Sequence, residues 1–256
     1  MNADASSASA FAAFPSTGWT LIRAIQDRKH PDRPEMLNRF ARLYRKPVFC
    51  FLRAAGRPAA EAEDLTQEFF LHALQDEWIA NADPQRGRFR TFLRMHLRSF
   101  LADQTSPKRV RRQKQFEREI VSLDGLVADG DSPYEPAAGE TPEQAFDRAF
   151  AQAVVRTVRS ELKKTSEIEK RPEWYEMFAA AHPDDFTEPM SQRDIAGRFG
   201  KTRDEVRGVL DRMKKRCQRL LRNELRDHGG AENDVEAEAA ELLSLLSRKP
   251  SRYGEQ

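Results

Sequence analysis

Residues 190–222 read MSQRDIAGRFGKTRDEVRGVLDRMKKRCQRLLR, two short helical patterns that meet across one glycine. Ser191 carries a side-chain acceptor suited to capping a helix with apolar positions Ile195, Ala196 and Phe199, and Gly200 can adopt the left-handed conformation that ends it. Thr202 then caps a second helix. Its apolar residues Val206, Val209, Leu210, Met213, Cys217 and Leu220 recur at spacings of three and four, which marks one buried face. A small residue where the helices approach (Ala196), glycine in the turn and β-branched Val206 anchoring the second helix together predict a helix-turn-helix.

The outward residues of that motif are Lys201, Arg203, Arg207, Arg212, Lys214, Lys215, Arg216 and Arg219, interrupted by Asp204, Glu205 and Asp211. A helix so basic, with its N-terminal end outward, suits the major groove, and its later Arg and Lys suit phosphates. The alternative is an αα-hairpin with a solvated charged face.

Working outward, 256 residues with 39% hydrophobic and 33% charged content suit small helical cores joined by polar segments rather than one large core. Net charge is only +2, so nucleic-acid affinity must come from local basic patches offset by acidic ones elsewhere, which points to a second, different partner. Cys50 and Cys217 lie far apart among apolar residues, as reduced core thiols do, and neither resembles a catalytic or metal-ligating cysteine. No run of about 18 apolar residues is present, and MNADASSASAFAAF lacks the basic flank and long apolar core of a signal peptide. A cytoplasmic, non-enzymatic protein without a cofactor or membrane insertion is expected.

Taken in order, residues 1–14 form an Ala- and Ser-rich tail expected to be disordered, and Thr17 caps a short helix carrying Trp19, Leu21, Ile22 and Ile25. Leu37, Phe40, Leu43 and Tyr44 begin a longer helix that Pro47 should kink before Val48, Phe51 and Leu52 resume its apolar face. AEAEDLTQEFFLHAL turns Ala62, Leu65, Phe69, Ala73 and Leu74 inward and aligns Asp64, Gln67, Glu68 and Leu71 on another side. That acidic stripe reads as a docking surface for a basic partner or as an ordinary soluble face. His72 beside Glu68 and Asp64 is a weak metal signal.

NADPQRGRFR then leads through a turn into a helix from about Phe89 to Asp103. Phe89, Phe92, Leu93, Leu97, Phe100 and Leu101 form one stripe, and Arg90, Arg94 and Arg98 recur every four residues on another. Like charges at that spacing repel unless an anion lies across them. With Arg86 and Arg88 just before, a nucleic-acid backbone is one candidate; acidic residues of the preceding helix are the other. Residues 105–140 are rich in Pro and Gly, basic then acidic, and read as a linker. Thr141 and Pro142 open a further helix with Phe146, Phe150, Val154, Val158 and Leu162 inward, followed by a short one carrying Trp174, Tyr175 and Phe178.

AEDLTQEFF (62–70), GRFRTFLRMHLRSFLAD (87–103), a Pro-rich linker and SQRDIAGRFGKTRDEV, in that order, resemble sigma-70-family transcription initiation factors of the extracytoplasmic-function branch. The resemblance spans about residues 15–225. It implies an all-α fold of two small helical domains joined by a flexible linker. Residues 15–104 would be region 2, binding core RNA polymerase and melting the minus-10 element. Residues 141–227 would be region 4, reading the minus-35 element, and 228–256 a C-terminal extension. By the same resemblance Asp64, Gln67 and Glu68 face core polymerase. Arg86, Arg88, Arg90, Thr91, Phe92, Arg94 and Arg98 serve the minus-10 strand, with aromatic stacking on unpaired bases, and Lys201, Thr202, Arg203, Arg207, Arg212 and Lys215 serve the minus-35 duplex. Promoter DNA and core polymerase are the implied partners, and an anti-sigma protein is a further candidate.

The chain departs from the family pattern in places. Phe92 stands where a Trp is common, and Asp204 and Glu205 in the first turn favour the helix dipole but repel phosphate. The extension after Arg226 shows Val235, Ala239, Leu242, Leu243 and Leu246 at helical spacing among acidic residues, an amphipathic helix that either folds back on the basic helix or completes a core. The competing functional reading is a helix-turn-helix regulator that binds duplex DNA alone as a dimer, with residues 232–246 the only candidate dimerisation segment.

Overall fold

The computed structural model describes residues 19–75, 78–104, 139–183, 188–226 and 239–240. Among these the regular structure is helical: α1 (Trp19–Gln26), α2 (Arg33–Ala54), α3 (Ala59–Gln75), α4 (Phe89–Gln104), α5 (Pro142–Ile168), α6 (Pro172–Ala181), α7 (Gln192–Phe199) and α8 (Arg203–Arg226). The expected tail, the Thr17 cap, residues 105–138 of the linker and all of the C-terminal extension except 239–240 lie outside the described residues. No helix among the described residues is long and apolar enough to cross a membrane.

The longest apolar stripe in the first half builds the centre. Met36, Phe40, Leu43, Tyr44, Val48, Phe51 and Leu52 are all buried along α2, which stays helical through buried Pro47 although proline withholds one backbone N–H from the ladder. Around it, Phe40 meets Tyr44, Phe70 and Phe89 with ring centroids 5.1, 5.5 and 5.9 Å apart, and Trp19 of α1 sets its ring edge against Phe89 at 5.8 Å. These edge-to-face and tilted pairings are the geometries aromatic quadrupoles favour. α1 also secures the loop before α4: Gln26 Nε2 donates to the carbonyls of Ile79 (2.8 Å) and Ala82 (3.0 Å).

α5 belongs to both halves of the molecule. It starts on a capping box, in which Gln144 N–H donates to Thr141 Oγ1 and the Gln144 side chain accepts from Thr141 N–H, with Pro142 in its first turn. Its first half packs on α2 through Phe146 and Phe150, while α6 and α8 pack against it farther along. One apolar cluster therefore runs from Trp19 to Leu225 without interruption. The stretch from Thr141, read from sequence as the start of a separate unit, begins here as a helix seated on α2. Arg39 and Glu224, 3.6 Å apart, add a link between α2 and the end of α8.

Candidate nucleic-acid interface

The helix-turn-helix is assembled as its sequence signals require. Ser191 Oγ accepts from Asp194 N–H at 3.3 Å, and Gly200 ends α7 at φ +61°, in the left-handed region. Thr202 and Glu205 form a reciprocal cap on α8: Glu205 N–H donates to Thr202 Oγ1 (3.3 Å), and Glu205 Oε2 accepts from Thr202 N–H (2.7 Å). These bonds, first the backbone one, hold the Glu205 carboxyl below its ordinary range against slight burial, with Lys201 assisting. Glu205 is thus committed to its own helix end. Ile195, Ala196, Val206, Val209, Leu210 and Met213 are buried, and Lys201, Thr202, Arg203, Arg207, Arg212 and Lys215 are exposed, spread over the solvent-facing half of α8 and the turn before it. Arg207 reaches Asp204 at 2.8 Å, an exposed pair one turn apart that contributes little.

Sequence reasoning took Trp174 only as an apolar residue of a short helix. Its half-buried ring carries the Arg171 guanidinium at 4.5 Å and that of Arg212 at 5.2 Å, so stacking fixes two cations at the margin of the basic surface. Behind it Arg216 pairs with Glu169, with Arg216 Nη1 donating to Glu169 Oε2 at 3.0 Å.

The candidate minus-10 residues fall into two groups. Arg86 and Thr91 are exposed and Arg88 is half-buried, on the turn that enters α4, where the Arg88 carbonyl accepts from the N–H groups of Thr91 (3.0 Å) and Phe92 (3.3 Å). Phe92 is half-buried in an aromatic group with Trp78 (5.7 Å) and His96 (4.4 Å), and His96 lies stacked on Trp78 at 4.5 Å. Burial pushes the His96 pKa below its ordinary value, which favours the neutral ring. Neither Trp78 nor His96 was singled out from sequence, although His96 is one helical turn beyond Phe92.

Arg90, Arg94 and Arg98 form the second group, and each meets an acid of α5. Arg94 Nη1 donates to Asp147 Oδ2 at 2.5 Å, Arg90 stands 3.5 Å from Asp147 Oδ1, and Arg98 Nε donates to Glu143 Oε1 at 2.7 Å. Arg90 is only 4% exposed, with its guanidinium 5.9 Å from the ring of Phe150. These partners come from a helix later in the chain, not from the preceding helix that the sequence offered as the source of acids. Burial tends to raise the Glu143 pKa, but its backbone hydrogen bond, the Arg98 bond and charge, and then Arg94 outweigh it and hold the carboxyl below its usual range.

On α3, Asp64 and Gln67 are exposed, while Glu68 is half-buried and accepts from Gln104 Nε2 at 3.2 Å. Thr66 is buried and donates its hydroxyl to the Ala62 carbonyl of its own helix at 2.7 Å, which satisfies that hydroxyl on the inward face. Asp64 and Gln67 thus stand accessible on the outer face of α3.

Comparison with curated proteins and with solved structures gives no match. Comparison with family models does: residues 40–114, covering most of α2, all of α3 and α4 and the residues just after them, match Sigma-70 region 2. That match likens this part of the chain to the segment of sigma-70 transcription initiation factors concerned with RNA polymerase binding and promoter melting.

Proposed function

We propose that this chain is a promoter-specificity subunit of the extracytoplasmic-function branch, acting in the cytoplasm. Asp64, Gln67 and Glu68 dock on core RNA polymerase. The turn and helix start at 86–92 hold the melted minus-10 strand, and α7–α8 read the minus-35 duplex. The observation that carries this reading is one continuous helical body that holds both a segment matching Sigma-70 region 2 and a helix-turn-helix with Lys201, Thr202, Arg203 and Arg207 outward. Arg203 and Arg207 lie in the first turns of α8, the part of a recognition helix that reaches base edges, and Arg212 and Lys215 farther along suit backbone phosphates.

Charge reversal on the docking stripe tests the reading. Asp64→Lys combined with Glu68→Lys should abolish co-purification with core polymerase while circular dichroism stays that of the wild type. Unimpaired association would overturn it. Selecting promoters with the reconstituted holoenzyme then separates a polymerase subunit from a regulator that recognises palindromic duplex sites by itself.

A further inference from the structure

We infer that the acidic edge of α5 is an internal substitute for the promoter backbone: Asp147 and Glu143 occupy the arginine face of α4 that the melted strand takes in the open complex. The inference rests on the strand contact proposed for 86–92, extends it along α4 to Arg94 and Arg98, and adds a competitor for their guanidinium groups.

The pairing is periodic on both helices. Arg90, Arg94 and Arg98 are four residues apart, as are Glu143 and Asp147, and four residues of helix advance about 6 Å. Arg98 meets Glu143 and Arg94 meets Asp147, so the two helices pass in opposite directions with their charges in step. A carboxylate presents the same pair of planar acceptor oxygens to a guanidinium as a phosphate does. An edge already donating at 2.5 Å to Asp147 Oδ2 cannot receive a second anion there. A strand can therefore reach the Arg94 and Arg98 edges only after α5 has left them.

The connection permits that departure. Residues 105–141 join α4 to α5 and span about 120 Å when fully extended, so what holds α5 back is the seat of its buried Phe146 and Phe150 on α2, which the departure must uncover. The contact is also graded. Arg98 is 64% exposed in its side chain against 4% for Arg90, so the rim opens to solvent, salt and competing anions before the inner pair does. Binding a strand along this face then proceeds from Arg98 inward.

The test uses the full chain, a fluorescein-labelled oligothymidine as the single-stranded probe, and anisotropy across a salt series. Glu143→Gln with Asp147→Asn should bind the probe about tenfold tighter than wild type with a steeper salt dependence, because more phosphates are engaged per strand. Arg94→Gln with Arg98→Gln should bind it more weakly than wild type. If the arginine variant loses affinity and the acid variant gains none, the inference falls and the DNA role of the arginines stands. If neither variant differs from wild type, the DNA role falls and takes the inference with it. Should the double acid variant lose its helical circular dichroism, Glu143→Gln alone decides, since it alters only the rim. About threefold tighter binding by that single variant supports the competition, and unchanged binding overturns it.

Discussion

The ring of Phe150 lies stacked on that of Tyr44, centroids 5.6 Å apart and planes 18° apart, so α5 is seated on the central helix of the first half of the chain. Both rings are fully buried, and the apolar cluster continues from them in both directions. Phe150→Ala should cost about 3–5 kcal/mol, the range for emptying a packed aromatic site. Because the cluster is continuous, Trp19 in α1 and Trp174, packed against the cluster from α6, should report one shared unfolding transition in urea. Two separated transitions in single-tryptophan variants of the wild type would show that the halves are energetically independent.

Gly208 sits in α8 with nothing within 4 Å of where a Cβ would be. A glycine in the interior of a helix costs roughly 0.5–1 kcal/mol relative to alanine, and nothing in the free chain requires one here. Gly208→Ala should therefore raise the melting temperature. It should also weaken binding of holoenzyme to minus-35 duplex, since Gly208 lies one residue beyond Arg207 and lets the helix backbone come close to the groove. Opposite signs in calorimetry and in a gel-shift titration are the expected outcome; a gain in stability with unchanged affinity would remove Gly208 from the interface.

Phe92 and Arg207 should fail in different ways. Phe92→Leu keeps apolar volume beside Trp78 and His96 but removes the ring on which an unpaired base could stack. Holoenzyme carrying it should bind a promoter normally and show reduced permanganate reactivity of thymines in the minus-10 region. Arg207→Gln should lower discrimination among minus-35 sequences by a few tens of fold, about 1–3 kcal/mol per lost bidentate base contact, with melting intact once bound.

The pair between Glu169 and Arg216 joins the end of α5 to α8 and carries a pH dependence of definite sign. The hydrogen bond from Arg216 lowers the Glu169 pKa; burial opposes this, and the charges of Arg216, Arg171 and Arg219 reinforce it. A carboxyl lowered on folding stabilises the protein above its unfolded pKa and stops doing so as pH falls through the folded value. With both side chains partly exposed, Glu169→Gln should cost about 0.5–1 kcal/mol at neutral pH. Its melting temperature should converge with that of wild type as pH falls below the ordinary glutamate range and through the lowered folded value. A constant difference across that range would assign the effect to packing.

Local signals carried much of the fold into view. Ser191, Gly200 and the Thr141-Pro142 start each act through their own neighbouring backbone, so their consequences are fixed within a few residues and were readable in sequence. The aromatic stripes of α2 and α4 were equally plain, because helical period alone turns them inward. Arg90 shows where this stops. Spacing placed it with Arg94 and Arg98 on a polar face, yet Phe150 and Asp147 cover it, and both come from more than fifty positions away. The same holds for Gln26, whose amide ties down the loop after Trp78. Periodicity identifies a face but not its occupant. The matching four-residue spacing of Glu143 and Asp147 was the one available clue to who sits across from the arginines.

Cys50 lies in the seam between α2 and α5, 1% exposed and packed against Ala145 and Ala149. Two alanines form the lid over this sulfur, so no reagent can attack it while the helices stay together, and any excursion that parts them uncovers it. In a Cys217→Ser background, which removes the half-buried second thiol, the alkylation rate of Cys50 becomes a clock for that excursion. Slowed in proportion to how seldom the seam parts, it would register helix separation in solution directly, without DNA, polymerase or an attached dye.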